Sequence, residues 1–222
     1  MAAAREKLEE YNINSKIIMA RYTGPITRLS RRLGVALFNG ESKMKAYNKK
    51  NYRPGQHGQK RASQVSEFGK HLLEKQKARA LYGISEKQSK KYYQLSTKST
   101  EVTGIRYLQL LEQRIDNVIF RAGFALTRPQ ARQIVGHGMV KINGKKVRTP
   151  SIQVKPGDTF EIKDKSKVSK LFEGIKSAKK PKTPKWMSSD IKELKGQILT
   201  IPDKDDLEHF IDHQMITEFY SR

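Results

Sequence analysis

The sequence predicts an α+β fold in which helices come first and a small antiparallel sheet follows a pair of short helices. Apolar residues recur at helical spacing in several stretches between residues 66 and 135. Further along, Asn143-Gly144 separates two short apolar and cationic runs, and this dipeptide is typical of a tight hairpin turn. These two patterns together favour a mixed fold over an all-helical one.

The composition indicates a polyanionic partner. The 222 residues include 45 Lys and Arg against 22 Asp and Glu, a formal net charge of +23, and 36% are hydrophobic. A charge of this size favours nucleic acid over an acidic protein patch or a membrane surface. No cysteine is present, which excludes disulfides and thiolate zinc sites, and no apolar run is long enough to span a membrane. We expect no cofactor and no metal.

The charge is unevenly distributed. Residues 1–18 carry as many anions as cations and lack the composition of a transit peptide, so we interpret them as a dispensable extension with Met19 as the initiator. Residues 19–61 contain eleven cations against one anion, Glu41, and are rich in turn residues. We predict that this basic arm is largely disordered until it binds its ligand, apart from one small helix along a leucine stripe at Leu29, Leu33 and Leu37.

Residues 62–104 form the first part of a predicted helical domain. One helix is expected between Ser66 and Gly83, which supply a cap and a stop, and a second over Glu86–Leu95. Tyr92 and Tyr93 lie among lysines on the second helix. They either stack on ribose or base, or pack inward beneath a solvated lysine face. Residues 97–104 are polar and predict a linker.

Residues 105–162 contain the clearest pattern. Apolar residues from Leu108 to Ala122 predict one helix that ends at Gly123, and Thr127 is expected to cap a second helix that ends at Gly136. Strands are predicted at 139–142 and 145–147 around the hairpin turn, and at 152–154 and 159–162 around a Pro-Gly-Asp turn.

Several stretches resemble a known family. "RIDNVIFRAGFALTRPQARQIVGHGMVKINGKKVRTPSIQVKPGDTFEI" resembles the RNA-binding module called the S-four domain. "MARYTGPITRLSRRLGVALF", "PGQHG", "SEFGKHLLEKQKARALYG", "PKWM" and "DLEHFIDHQMITEFYSR" resemble, in the same order, blocks of the bacterial small-subunit ribosomal protein family S-four. The resemblance covers residues 19–222, and residues 1–18 have no counterpart in it.

The resemblance implies a mostly helical first domain with an inserted S-four module at 105–177, after which residues 178–222 return to pack on the helical domain. It implies a cytoplasmic structural constituent of the small ribosomal subunit that binds 16S ribosomal RNA as a primary binder. Such a protein nucleates assembly of the subunit body by clamping a multi-helix junction. The implied neighbours are other small-subunit proteins, especially S-five, whose contact bears on translational accuracy, and messenger RNA where it enters the subunit. Some family members bind zinc through N-terminal cysteines, which this chain lacks.

The expected RNA contacts are mainly cations, because guanidinium forks and ammonium groups suit the phosphates that an A-form helix presents. In the loop "YRPGQHGQKR", Arg53, Lys60 and Arg61 are expected to clamp the RNA backbone, while Gly55 and Gly58 let main-chain amides approach phosphate. A second cationic edge is expected on the module. The full predicted set is Arg21, Arg31, Arg32, Arg53, Gln56, His57, Gly58, Lys60, Arg61, Lys75, Lys77, Arg79, Arg114, Arg128, Gln130, Arg132, Gln133, His137, Asn143, Lys145 and Lys146.

An enzyme is the alternative hypothesis. Arg114-Ile115-Asp116 resembles a signature of pseudouridine synthases, some of which carry an S-four module, but no large catalytic domain remains in the chain. We therefore interpret Asp116 as a structural carboxylate paired with an arginine. His209 and His213 have the spacing of zinc ligands but lack the glutamate of a zinc hydrolase, and their predicted helix carries an apolar stripe from Leu207 to Phe219. We predict no catalytic residue.

Overall fold

The first part of the chain is helical. The computed structural model describes residues 22, 24–37, 41–60, 64–177 and 183–222. The chain divides into two units, Met1–Lys91 and Tyr92–Arg222. The predicted extension at residues 1–18 and the start at Met19 lie outside the described residues, so they remain expectations.

The first unit contains α1 (Ile26–Leu33), α2 (Glu41–Lys49), α3 (Glu67–Tyr82) and most of α4 (Glu86–Ser96), inside which the division falls. Both predicted ends of α3 are confirmed. The Ser66 side chain accepts a hydrogen bond from the Gly69 amide at 3.2 Å, and Gly83 ends the helix with a φ of 62°. α1 covers most of the leucine stripe and packs against α2 and α3. The sequence did not predict α2, because Met44 and Tyr47 are its only large apolar residues.

The second unit begins with the end of α4 and continues with α5 (Thr103–Glu112), α6 (Ile115–Arg121) and α7 (Arg128–Gly136). The single long helix predicted across Leu108–Ala122 is wrong, since it breaks between α5 and α6. At the break, the Ile115 amide donates to the Ile152 carbonyl at 2.9 Å, and the Gln113 carbonyl accepts from the Val154 amide at 3.0 Å. The strand predicted at 152–154 is not formed. Because Ile152 and Val154 bond to the break between α5 and α6, this segment has one isolated bridge, between Gln153 and Arg114.

An antiparallel sheet follows the helices. Its strands are β1 (Val140–Ile142), β2 (Lys145–Val147), β3 (Thr159–Ile162), β4 (Met187–Asp190) and β5 (Lys195–Ile198), in the order β2-β1-β3-β5-β4. The predicted hairpin turn is confirmed: Asn143 and Gly144 have φ values of 48° and 75°. Two short helices, α8 (Asp164–Lys167) and α9 (Lys170–Ser177), separate β3 from β4.

The C-terminal segment differs from the predicted domain division. β4 and β5 lie within residues 178–222, which were assigned to the helical domain, yet β5 pairs with β3 and extends the module's own sheet. A short 3₁₀ helix (Lys204–Asp206) and α10 (His213–Ser221) complete the chain, and α10 packs on α5. The helix predicted from Leu207 onward begins only at His213. Asp212 caps it, because its side chain accepts from the Gln214 and Met215 amides. His209 is therefore not on a helix.

The core of the second unit lies between the α6–α7 pair and the sheet. Its members include Ile115 and Ile119 from α6, Ile134 from α7, and Phe160 and Ile162 from β3, all buried. The Phe160 ring crosses Gly196 of β5 so closely that a Cβ at Gly196 would lie 2.5 Å from the ring. The architecture confirms the predicted α+β class.

Candidate nucleic-acid interface

A groove in the first unit gathers most of the predicted contacts of the basic arm. It has a volume of about 620 Å³ and is lined by Arg31, Arg32, Leu33, Gly34, Tyr47, Asn51, Tyr52, Arg53, His57, Gly58, Lys60 and Leu73. Six of these residues were predicted from the sequence as RNA contacts. Gln56, which was also predicted, is exposed on the same loop but is not part of the lining. Arg21 and Arg61 lie outside the described residues.

Arg31 holds the loop that forms one wall of this groove. Its Nε donates to the Tyr52 carbonyl at 2.9 Å, its Nη2 has a longer contact of 3.5 Å with the Arg53 carbonyl, and its guanidinium lies 4.6 Å from the centre of the Tyr52 ring. The loop then turns back on itself where the Gly58 amide donates to the Gly55 carbonyl at 3.1 Å. A Cβ at Gly58 would lie 1.8 Å from the Arg53 carbonyl oxygen, so only glycine fits there.

The cations Arg53 and Lys60 are exposed, and within the described part of the chain neither side chain forms an ion pair. The Arg32 side chain is exposed as well. Because acidic residues are nearly absent from this stretch, the groove presents a local excess of positive charge, which attracts phosphate.

The three predicted cations of α3 have acidic partners. The Lys75 and Arg79 side chains contact Glu86 at 3.2 Å and 2.7 Å, and Lys77 pairs with Glu74. Lys75 is buried, with 6% of its surface exposed. The two contacts with Glu86 join α3 to α4, whereas the Lys77–Glu74 pair lies within α3. The burial of Lys75 argues against the RNA contact that the sequence assigned to it.

A second cationic surface lies on the module. The Lys146 and Arg148 side chains cross Gly138, where a Cβ would be 2.6 Å from Lys146 Cε and 3.0 Å from Arg148 Cγ. Lys163 joins them. Loss of water contact, a hydrogen bond with Lys146 and the charges of Lys146, Arg148 and Lys141 lower the pKa of the Lys163 ammonium. We call Lys141, Lys146, Arg148 and Lys163 the module cluster.

Most of the other residues predicted for the module's cationic edge are accessible. Gln133, His137 and Lys145 are exposed, and Arg132 is half-buried. Sequence reasoning missed Arg148 and Lys163. Their contribution comes from the fold. Arg148 follows β2 and lies near Gly138, and Lys163 follows β3 and contacts Lys146, although the two residues are fifteen positions apart in the chain.

Arg128 and Arg114, both predicted as RNA contacts, pair with acidic residues within the fold. The Arg128 side chain is 13% exposed, donates to Asn117 Oδ1 at 2.8 Å and to Glu208 Oε1 at 2.5 Å, and lies over the Phe120 ring. Glu208 also accepts from Arg121, which in turn pairs with the fully buried Glu112. This acid–arginine network ties the 207–212 segment to α5, α6 and α7.

Arg114 is 1% exposed, so its guanidinium is closed to the surface in this fold. Its Nε and Nη2 donate to the two Asp116 oxygens at 3.1 Å and 2.8 Å, and its Nη1 donates to the Tyr92 hydroxyl at 2.8 Å. Burial by itself would lower the Arg114 pKa, but the hydrogen bonds and charges of Asp116 and Tyr92 raise it above its ordinary value. Asp116 is the paired structural carboxylate that the sequence indicated.

Several other residues that the sequence singled out form contacts within the fold. The Tyr92 ring packs inward, and Tyr93 stacks on Tyr220 with ring centres 4.8 Å apart. Asn143 holds the hairpin to β3, because its Oδ1 accepts from the Thr159 amide at 2.9 Å. Gln130 Oε1 accepts from the Leu126 amide at 2.7 Å, which closes the start of α7.

Metal and membrane sites can be assessed only for the residues that the structure describes. Among them, no group of three or more His, Asp or Glu side chains is arranged to hold a metal ion. No described helix is long and apolar enough to cross a membrane.

Comparison with known proteins identifies the family. A family model described as "Ribosomal protein S4/S9 N-terminal domain" matches residues 21–112, which include the groove, and one described as "S4 domain" matches residues 113–160. The chain is 44% identical to the small ribosomal subunit protein uS4 of Thermus thermophilus over 209 residues, covering 92% of this chain and all of the relative.

Two further relatives agree. Identity to the uS4 protein of Persephonella marina is 48% over 207 residues, with 91% of this chain and the whole relative covered. Identity to that of Aquifex aeolicus is 45% over 210 residues, with 92% and the whole relative covered. The chain therefore belongs to the uS4 family of small ribosomal subunit proteins.

Proposed function

We propose that this protein is a primary binder of 16S ribosomal RNA that nucleates assembly of the body of the small subunit by clamping a multi-helix junction. As a uS4 protein it is a structural, RNA-binding constituent of the small ribosomal subunit, located with the ribosome in the cytoplasm. It is not an enzyme, and the RNA-modifying alternative is rejected.

The groove of the first unit is the observation that carries the proposal. It brings Arg31, Arg32, Arg53, His57 and Lys60 to one concave surface, although these residues span thirty positions of the chain. Exposed cations without acidic partners gain most from phosphate, because binding releases the counterions of the RNA. The module cluster provides a second cationic surface. Its Lys141 pairs with Glu161 at 3.3 Å, and a polyanion would relieve the mutual repulsion of its cations.

The proposal extends to protein neighbours. Residues 187–222 contain eight anions against four cations, which reverses the sign of the preceding chain. Exposed acids in this segment, such as Asp203 and Asp205, suit a basic neighbour. We assign this surface to S-five, with the effect on translational accuracy that such a contact implies. Messenger RNA entering the subunit is the remaining proposed partner.

Removal of groove cations tests the RNA clamp. Replacing Arg53 and Lys60 by Ala should weaken binding to every junction RNA and reduce the slope of log affinity against log salt by about 1 to 2, since each lost phosphate contact removes roughly 0.7 to 0.9 from the slope. Filter binding at several salt concentrations measures both quantities.

Lys192→Ala with Lys204→Ala is the matched control, because it removes the same charge from two exposed residues outside both cationic surfaces. The control should change the slope by less than half as much as the groove variant. An unchanged slope in the Arg53→Ala, Lys60→Ala variant would remove the groove from the interface.

A further inference from the structure

We propose that the groove of the first unit receives one unpaired nucleotide of the RNA, with its base inside the groove and its phosphates on the rim. The inference rests on the proposed function, since it specifies what part of the junction this surface binds. It adds base recognition to a contact otherwise explained by charge alone.

The shape of the groove favours a single nucleotide over a duplex. Its volume of about 620 Å³ lies within the range of small-molecule sites, roughly 300 to 1,000 Å³. A duplex keeps its bases stacked inside and presents a broad ribbon of phosphates, which a flat or convex cationic surface contacts equally well. A concave surface of this size fits a group that protrudes from the RNA, such as an unpaired nucleotide.

The chemistry of the lining also exceeds what phosphate requires. Tyr47, Tyr52 and His57 contribute three rings, and Asn51 contributes an amide that can both donate and accept hydrogen bonds. Rings and amides are the groups that read unpaired bases, by stacking on their faces and pairing with their edges. Phosphate alone would be served by Arg53 and Lys60.

The groove is held in shape by bonds within its own unit. Arg31 binds the Tyr52 carbonyl and covers one side of the Tyr52 ring, and the close approach of Gly58 to the Arg53 carbonyl fixes the loop. Since Arg31 already occupies the Tyr52 ring, we assign stacking to Tyr47 and His57 and edge recognition to Asn51. A wall fixed in this way reduces the ordering cost of binding.

An abasic scan tests the inference. Each unpaired nucleotide of the 16S junction RNA is replaced in turn by an abasic one, and filter binding is measured with the full chain and with Tyr47→Ala and His57→Ala. At one position, base removal should weaken binding of the unchanged protein by about 5- to 100-fold, the effect of losing one stacked base. In either variant the same removal should cost less than about 2-fold. The salt slope should stay constant, because no cation is lost.

The control is Phe210→Ala, which removes an exposed ring outside the groove and should keep the full abasic penalty. Tyr47 is half-buried, so His57→Ala, at an exposed loop position, provides the same test without affecting a helix. If base removal has no effect at any unpaired position while the junction RNA still binds, the inference fails and the proposed function stands. If the junction RNA binds no better than duplex DNA, both fail.

Discussion

Arginine has two distinct roles in this protein, and the presence of an acidic neighbour separates them. Arg114 and Arg128 are enclosed by Asp116, Glu112 and Glu208, whereas Arg53 has no acidic partner in the described part of the chain. A guanidinium satisfied by carboxylates stabilises the fold, and one left in solvent is available for phosphate. Residue type alone therefore did not identify the interface.

The buried ion pair gives a prediction at this scale. Asp116→Ala leaves the Arg114 guanidinium buried without its carboxylate, so the free energy of unfolding should fall by about 3 to 5 kcal/mol. Urea denaturation followed by circular dichroism measures the change. The matched control is Glu193→Ala, which removes an exposed pair with Lys195 at 3.8 Å and should cost about 0 to 1 kcal/mol. A loss in Asp116→Ala no larger than that of the control would contradict the structural role of the pair.

Helix ends were predictable from single residues, whereas the break between α5 and α6 was not. Ser66, Gly83 and Thr127 mark ends in the structure as their chemistry predicts, because each acts on backbone groups within four residues. The break depends on bonds from Gln113 and Ile115 to residues 152–154, about forty positions away. A periodic apolar pattern contains no information about such partners, so it predicted one helix where the structure has two.

The docking of α10 on α5 gives a prediction at the scale of elements. Gly104 lets the helices approach so closely that a Cβ there would lie 2.7 Å from His213 Nδ1 and 2.8 Å from the His213 carbonyl oxygen. Gly104→Ala should displace α10, lower stability by about 1 to 3 kcal/mol and reduce amide protection in α10. Hydrogen exchange and urea denaturation measure these effects.

Gly174→Ala is the control for Gly104→Ala. No atom lies within 4 Å of a Cβ built at Gly174 in α9, so this substitution should stabilise its helix by roughly 0.5 to 1 kcal/mol. Unchanged protection of α10 in Gly104→Ala would show that the helix does not depend on this contact.

For the molecule as a whole, the sequence predicted the fold class and the polyanionic partner but only part of the site. The net charge and the excess of cations in residues 19–61 could be predicted, because both are obtained by counting charged residues along the chain. The groove and the module cluster arise from distant residues such as Arg31 with Tyr52, and Lys146 with Lys163, which only folding brings together. The place of β5 was also not predictable from local sequence, because it depends on pairing with the distant strand β3, which makes part of the C-terminal segment belong to the module's sheet.

The most direct test of the account compares two polyanions of equal length. Filter binding of the full chain to 16S junction RNA and to duplex DNA, at near-physiological salt, separates recognition of a folded RNA from simple charge attraction. The account predicts that the junction RNA binds more tightly by about tenfold or more. Equal affinity for the two would contradict it.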